Sequence, residues 1–379
     1  MKLIQREYQA GDEIYINKLY KLVSDIDRNV QEHEWEWCKT WDGQGSIWLA
    51  FDEDREKDDR LIMQYSLIPT PFSFWGNSYL AGKTENCMCH RDYRGKGLYF
   101  PHERKYFEEA KKRFQLFFTT AGNATKGAPG AVRRKLGYVA LDAWTQYVFC
   151  LSPNYLMKLV KSKLKQRGKI FSYLAKILFT IIAHLSSLYF RFHLPPKRST
   201  DIRIFNKHEV PLKEIENFWN RNRKHYMITV DRQSAYLDWR IKQNPYYEYQ
   251  YLLYYKENHL AGYAIFLLNN DNACVITDII VENKDMAIFD TIISYLIYYA
   301  KEMGADAVLC STLAGNTILK AAFTKNKFID LGTFRSIFEH NANQNAFHVY
   351  VTSDIKYEQN PLDPRNWYVT DLVKEGRTR

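Results

Sequence analysis

Two hydrophobic periods alternate along the first 150 residues: runs of period two predict β-strands and runs of period 3.6 predict α-helices. The predicted strands cover residues 2–8, 46–51, 61–67, 77–89 and 115–120, with closing strands that end at Cys150. The predicted helices begin at about Glu13 with Asp12 as a cap, surround Trp35 and Trp37, and cover 98–113 and 130–136. A strand meander followed by alternating strands and helices predicts an α+β (mixed α/β) fold, with a mixed, mainly antiparallel sheet flanked by helices.

The same order of elements returns after residue 203. A predicted meander covers 249–255, 260–268 and 273–281, and a helix over 286–303, a strand over 307–311 and a helix over 317–325 follow it. Ala121-Gly122-Asn123 and Ala314-Gly315-Asn316 occupy the same strand-to-helix corner in the two halves. The repetition indicates an internal duplication. We expect domains at 1–150 and 204–350, a helical linker at 151–203 and a C-terminal tail at 351–379.

The net charge of +10 comes from one segment of the 379-residue chain. Residues 151–200 contain ten Lys or Arg and no Asp or Glu, so the remainder of the chain is electrically neutral. Neutral domains do not favour binding along a nucleic-acid backbone, and a nucleic-acid partner is not expected.

The basic segment is also apolar. Residues 156–169 place lysines on one helical face and apolar side chains on the other, and residues 170–190 are apolar nearly all round except for Lys176 and His184. Three interpretations stay open: a transmembrane helix, helices that pack on the two domains, and an interfacial anchor that lets 156–190 contact a membrane peripherally. Because residues 1–7 contain no apolar signal run, we expect a cytoplasmic protein, with any peripheral contact at the inner face of the membrane.

The six cysteines include no C-x-x-C pair. We interpret them as reduced core residues, and no metal is expected. His90, close to Cys87 and Cys89, is the feature that keeps a metal site open.

A glycine loop over residues 94–99 lies between the strand that ends near Cys89 and the next predicted helix. The first N–H groups of a helix have no internal partner, and glycine lets a phosphate approach without a Cβ in the way. Pro101 must lie in the first helical turn, so the free donors are predicted near residues 96–100. The sequence therefore predicts a pyrophosphate site here.

The second half lacks this loop. Glu282-Asn283-Lys284-Asp285 stands where a second copy is expected, with two carboxylates and no glycine at the helix start. We expect the first half alone to bind a phosphate.

The first half resembles the GNAT superfamily of N-acetyltransferases, which bind acetyl-CoA at the motif R/Q-x-x-G-x-G/A. Arg94 and Gly97 fill the first two specified positions and Tyr99 stands at the last, while Asn123 and Leu136-Gly137-Tyr138 resemble later family features. The duplication, with residues 236–240 opening the second half, resembles tandem GNAT-like proteins linked to bacterial surface-polysaccharide synthesis.

The resemblance implies acetyl-CoA as the acyl donor. Its pantetheine arm is expected to pair with the backbone of Met88 and Cys89, and its pyrophosphate to contact the backbone N–H groups of the glycine loop. The cofactor-binding residues implied in this way are Met88, Cys89, Arg94, Gly95, Lys96, Gly97, Leu98, Tyr99 and Asn123.

Acyl transfer to an amine requires a base, donors that polarise the carbonyl, and an acid for the leaving thiolate. Glu85 is our candidate base, with a solvated strand-end carboxylate as the alternative interpretation, and His90 is a second candidate. Relatives place an acid tyrosine where this chain has Arg133, which stays protonated at neutral pH. The acid is then Tyr99, Tyr138 or water.

The sequence therefore predicts an acetyl-CoA-dependent N-acyltransferase acting on a primary amine, such as an amino sugar or surface-glycan precursor. One alternative is a Fem-like transferase, which shares duplicated GNAT-like domains and takes aminoacyl-tRNA. The other is a non-catalytic GNAT-like binding or assembly protein at the membrane surface.

Overall fold

The computed structural model describes residues 2–120, 128–152, 201–332 and 345–374, with isolated positions between 155 and 185. The chain divides into two compact units, and neither is contiguous in sequence. Unit 1 comprises Met1–Ala143, Met227–Tyr246 and Gln344–Asp363, and unit 2 comprises Trp144–Tyr226, Tyr247–Asn343 and Pro364–Arg379. The domain boundaries expected from the sequence remain predictions.

The first half of the sequence forms the predicted strands and helices, with two changes in strand length. The strands are β1 (Leu3–Glu7), β2 (Ser46–Asp52), β3 (Leu61–Phe74), β4 (Asn77–Thr84), β5 (Met88–Cys89), β6 (Leu116–Thr119) and β7 (Val139–Cys150). The helices are α1 (Glu13–Ser24), α2 (Val30–His33) with a π-helical turn at Glu34–Cys38, α3 (Tyr99–Ala110) and α4 (Ala128–Lys135). β3 is longer than predicted, and the single strand expected over 77–89 divides into β4 and β5.

The second half continues the numbering. Its strands are β8 (Ile202–Asn206), β9 (Ile228–Val230), β10 (Gln250–Lys256), β11 (His259–Leu268), β12 (Ala273–Val281), β13 (Ala307–Leu313), β14 (Ile329–Asp330), β15 (Ala346–Val351) and β16 (Trp367–Tyr368). Its helices are α5 (Leu212–Asn222), α6 (Ser234–Leu237) with a π-helical turn at Asp238–Lys242, α7 (Met286–Glu302) and α8 (Thr317–Lys325). The predicted elements from 249 to 325 are all present.

The predicted cap of α1 is wrong. Asp12 precedes the helix, but its side chain makes no capping hydrogen bond. Arg6 Nη2 donates to Asp12 Oδ1 over 2.8 Å and Gln9 N–H donates to Asp12 Oδ2 over 2.7 Å, so β1 and the turn after it occupy the carboxylate.

The sheet of unit 1 contains a strand from near the end of the chain. Its order is β1, β2, β3, β4, β6, β15 and then residues 139–143 of β7. β15 is antiparallel to both of its neighbours, whereas β4 and β6 are parallel. β9 extends this sheet by pairing with the end of β3, from Phe72 to Phe74. Residues 236–240, interpreted as opening the second half, therefore lie in unit 1 with β9.

The sheet of unit 2 repeats this order with β8, β10, β11, β12, β13, residues 144–150 of β7 and then β14. β12 and β13 are its parallel pair. In each unit the strand that follows the parallel pair comes from the opposite half of the sequence, and the same pairing pattern in both fits an internal duplication. The α+β fold with mixed, mainly antiparallel sheets is confirmed.

Aromatic packing holds α3 against the sheet of unit 1. The indole of Trp48 stacks on Tyr65 with ring centroids 5.5 Å apart and on Tyr106 of α3 at 5.4 Å. Phe107 of α3 meets Phe117 of β6 edge to face at 4.8 Å. Stacked and edge-to-face rings are favourable aromatic geometries. They fix the helix and hence the loop that precedes it.

Candidate functional site

A β-bulge separates β4 from β5. Leu67 faces Thr84 and Gln64 faces Met88. The segment from Thr84 to Met88 therefore contains one more residue than the segment of β3 that it faces. Asn86 has a φ of +49°, in the left-handed region that Asn adopts more readily than most residues. Such a bulge bends its strand and redirects the local backbone.

The strand after the bulge has one free edge within the described residues. Parallel pairing of β4 with β6 runs from Ala81 to Lys83 and does not extend to β5. His90 N–H donates to Ile62 C=O over 2.8 Å, and the alternation of an antiparallel ladder then directs the N–H and C=O of Cys89 away from β3. Arg94 Nε donates to Cys89 C=O over 3.1 Å. The Cys89 N–H is then the free donor on the edge of β5 that no described strand covers.

The glycine loop requires its glycines for backbone conformation. Gly95 and Gly97 have φ values of +76° and +75°. A Cβ at either position would meet no atom within 4 Å, so conformational strain and not a lack of space would oppose a side chain.

Most backbone donors of this loop are free, as predicted for a phosphate site. Within the described residues, the N–H groups of Gly95, Gly97 and Leu98 have no acceptor, and those of Tyr99 and Phe100 begin α3 without an intrahelical partner. Lys96 N–H differs, because it approaches the carbonyl of Tyr93 at 3.4 Å. Five free amides therefore surround one helix N-terminus.

A buried polar cluster lies on the α3 and α4 side of the bulge. Arg133 of α4 forms a hydrogen-bonded ion pair with Glu103 of α3, and both side chains are almost completely buried. Arg133 Nη1 also lies 3.4 Å from Thr84 Oγ1, which lies 3.3 Å from the Tyr138 hydroxyl. Burial raises the pKa of Glu103 and the Arg133 charge opposes that rise. Arg133, at the position of the family's acid tyrosine, thus has a structural partner.

Two tyrosine hydroxyls in this cluster stay protonated at neutral pH. Burial raises the pKa of Tyr138 to about 12 and raises that of Tyr99 well above its ordinary value. The Tyr99 hydroxyl is buried and has no hydrogen-bond partner among the described residues, although Cys87 and Glu103 are near enough to influence it. Both hydroxyls retain the proton that a general acid must supply.

Glu85 lies in a buried ion pair, so the alternative interpretation as a solvated carboxylate is wrong. Its Oε2 is 2.8 Å from Lys83 Nζ, with about 5% of each side chain exposed. Since Thr84 faces the α3 and α4 cluster, strand alternation places Lys83 and Glu85 on the opposite face. Glu85 is therefore adjacent to the bulge, with a lysine as its charge partner.

Sequence reasoning missed the polar side chains that meet the bulge on this opposite face. Asn86 Nδ2 lies 3.4 Å from Glu36 Oε2, and Arg28 Nη1 donates to the same oxygen over 2.8 Å. Arg28 and Glu36 are buried. Lys83 and Glu85, two residues apart in a predicted strand, are the sequence feature that could have indicated buried charge here.

His90 lies apart from the Glu85 pair. Its Nδ1 accepts from Asp92 N–H over 3.2 Å, and burial lowers its pKa. It borders a cavity of about 380 Å³ that is also lined by Tyr15, Lys18, Asp59 and Arg91. Among the described residues no group of three potential ligands could hold a metal ion. Asn123 lies outside the described residues.

The corresponding helix of unit 2 has its N-terminus occupied. Asp285 Oδ1 accepts from Ala287 N–H over 2.8 Å, so a carboxylate of the chain already caps the first turn of α7. A carboxylate there also opposes a bound anion.

The order of strands that the two units repeat is that of the GNAT fold, which is therefore present twice. Three solved structures share it. They are a probable N-acyltransferase of Enterococcus faecalis V583 (TM-score 0.60, 11% identity, 93% of this chain and 73% of that chain), a GCN5-related N-acetyltransferase of Anabaena variabilis ATCC 29413 (0.56, 9%, 92% and 73%) and a tandem GNAT protein of the clavulanic acid biosynthesis pathway (0.51, 11%, 94% and 100%).

At these identities the similarity is one of fold. No protein-family model matches the chain, and no curated protein matches it in sequence. The tandem GNAT arrangement expected from the sequence is confirmed by the match over the whole of the clavulanic acid pathway protein.

Proposed function

We propose that the protein is an acyl-CoA-dependent N-acyltransferase, with acetyl-CoA as the donor and a primary amine as the acceptor. The observation that carries the proposal is the set of free amides from Gly95 to Phe100 at the start of α3. Backbone N–H groups at a helix N-terminus, without a Cβ in front of them, suit a pyrophosphate.

The remaining parts of the site follow the strand back from this loop. A pantetheine arm would hydrogen-bond to the free N–H of Cys89, and the thioester would reach the bulge at Asn86. An amide exposed at the bulge can stabilise negative charge on the carbonyl oxygen while nitrogen attacks its carbon. The carbon–sulfur bond then breaks, and the thiolate takes a proton from the Tyr99 or Tyr138 hydroxyl.

Glu85 would accept the proton that the attacking ammonium must lose. Its present partner is Lys83, so an incoming ammonium would compete with that lysine for the carboxylate. A base must be ionised to accept a proton, and Glu85 has the Lys83 ammonium as its charge partner. The acceptor that we propose is an amino sugar of a glycan precursor.

The buried Lys83–Glu85 pair also favours a second candidate, a protein that binds acyl-CoA without transferring the acyl group. In that case Glu85 would stay paired with Lys83 and would accept no proton from an amine. Release of free CoA thiol in the presence of a panel of amines distinguishes the two: acyl transfer requires release, and binding alone gives none.

The loop assignment is tested with Gly97→Glu. The substitution places an anion and a Cβ in front of the free amides, so we expect it to abolish stabilisation by acetyl-CoA in a thermal-shift assay. At 100 times its Kd a ligand adds about 2.7 kcal/mol to the free energy of unfolding, which makes the loss measurable.

Gly43→Glu is the matched control. Gly43 has a φ of +82° and open space at its Cβ, so it undergoes the same backbone strain away from the loop. We expect the control to lower stability similarly while retaining the acetyl-CoA effect. Undiminished stabilisation of Gly97→Glu by acetyl-CoA would refute the assignment.

A further inference from the structure

Large apolar side chains are exposed together at helical positions of the basic linker. Among the described residues of this segment, six apolar side chains are between 42% and 67% exposed. They are Tyr173, Leu174, Ile177, Leu178, Ile181 and Leu185. Elsewhere in the described chain, exposed large apolar residues occur singly or two within a few residues, as Ile14 and the pair Ile26 and Val30 do.

At the 100° per residue of an α-helix, the six positions fall within an arc of about 140°, the width of an apolar stripe on an amphipathic helix. We call this set the linker apolar face. Exposed apolar residues that cluster in this way indicate an interaction site, whereas single exposed apolar residues are common on any protein surface.

The charge of the surrounding sequence indicates which partner covers this face. Residues 151–200 contain ten Lys or Arg and no Asp or Glu. A second copy of the same segment would bring two strongly basic stretches together, and their repulsion opposes self-association. An anionic surface would attract them.

The composition of the segment favours a position in the interface over a span. Lys176 and His184 interrupt the apolar run of residues 170–190, and each would be costly inside the hydrocarbon core of a bilayer. No helix among the described residues has both the length and the apolar character needed to cross a membrane.

We propose that the linker apolar face docks on an anionic lipid bilayer, with its apolar side chains at the boundary between headgroups and acyl chains. The basic residues that flank it in sequence add electrostatic attraction. This docking goes beyond the proposed transferase activity and is independent of it. It would hold the enzyme beside acceptors that are attached to lipid.

Vesicle flotation tests the proposal. The full-length protein is mixed with vesicles containing 30% phosphatidylglycerol in phosphatidylcholine, and in parallel with pure phosphatidylcholine vesicles. We expect binding to the anionic vesicles at least tenfold stronger than to the neutral ones, and we expect it to weaken as salt rises. The double variant Leu178→Glu, Ile181→Glu should lose at least tenfold in binding.

The matched control is the double variant Ile14→Glu, Val30→Glu, which changes two other exposed apolar residues in the same way. It should float like the unmodified protein. Stabilisation by acetyl-CoA should be the same in both double variants, which separates this result from any failure of the proposed function.

Three results would overturn the proposal. The first is no binding of the unmodified protein to anionic vesicles, and the second is binding that does not depend on Leu178 and Ile181. The third is a dimer in light scattering that the Leu178→Glu, Ile181→Glu variant converts to a monomer, because the face would then be a subunit interface.

Discussion

At the scale of single residues, His33 makes the stability of unit 1 depend on pH. Its ring is 1% exposed, and neither ring nitrogen has a hydrogen-bond partner among the described residues. Burial, helped by the charge of Arg28, lowers the pKa of His33 from 6.5 to about 4. The folded state therefore holds a neutral imidazole over a range in which the unfolded chain binds a proton.

The sign of the effect follows from proton linkage. Between pH 4 and 6.5 the unfolded state binds more protons, so the free energy of unfolding falls as the pH falls from 6.5 and is restored above it. At pH 5 the loss from this one group is about 2 kcal/mol, using 1.36 kcal/mol per pH unit. We expect His33→Leu to reduce the difference in unfolding free energy between pH 7 and pH 5 by about that amount.

Denaturant unfolding at the two pH values measures this difference. His208→Leu serves as the control because His208 is exposed, and it should leave the difference unchanged. A His33→Leu protein that loses as much stability as the unmodified protein between pH 7 and pH 5 would show that His33 is not held neutral.

Residue-scale prediction succeeded where one short segment determines the result. The free amides at the helix start follow from the order of residues 94–101 alone. The pairing of Arg133 with Glu103 could not be predicted, because it depends on the distance between two helices. The same holds for the contact between Glu36 and Asn86, which joins segments 50 residues apart.

At the scale of elements, two π-helical turns form a reciprocal pair in unit 1. Trp35 Nε1 donates to Trp239 C=O over 2.8 Å, and Trp239 Nε1 donates to Trp35 C=O over the same distance. The two indoles stack with centroids 5.4 Å apart. Each turn follows a short helix, α2 or α6, so the pair joins equivalent elements of the duplication.

We expect these two turns to stabilise each other. Trp35→Phe or Trp239→Phe removes one donor and leaves a buried carbonyl without its partner, at a cost of about 1–3 kcal/mol each. Because the rings also stack, the double variant should deviate from additivity by about 0.5–1.5 kcal/mol in denaturant unfolding.

Trp219→Phe, in unit 2, provides the comparison for this double-mutant cycle. Combined with Trp35→Phe, it should give an additive loss. Strict additivity of Trp35→Phe with Trp239→Phe would instead mean that the observed pair contributes nothing beyond its separate parts.

Element prediction succeeded for long periodic runs and failed for short or broken ones. Helix α8 and strand β12 have the bounds that their patterns predicted. The break between β4 and β5 was missed, because residues 77–89 keep the composition of one strand and the extra residue is visible only against β3. The three-residue strand β9 is too short for any periodicity to reveal.

At the scale of the whole molecule, exchanged strands determine which parts of the chain can fold. Sequence patterns showed the duplication and the order of elements within each half. The patterns do not show which half supplies the strand between β6 and the start of β7, because β15 is a short apolar run like the other buried strands. That choice depends on pairing between residues more than 200 positions apart, such as Thr119 and His348.

The exchange predicts that residues 1–150 do not fold alone. Without β15, β6 keeps only β4 as a neighbour, and residues 139–143 of β7 have no strand to pair with in unit 1. β9 and Trp239 are missing as well. Unpaired buried backbone groups and the exposed edge of β6 oppose folding. We expect this fragment to show no cooperative thermal transition and no stabilisation by acetyl-CoA.

The full-length chain, cut once between residues 151 and 200, supplies the control. Both pieces contribute strands to unit 1, so the cut protein should remain one particle in size-exclusion chromatography and keep a cooperative transition. If the 1–150 fragment instead melts cooperatively and is stabilised by acetyl-CoA, the first half is an independent domain. The free amides of residues 95–100 would then need none of the second half to reach their geometry, and β15 would be dispensable to the site.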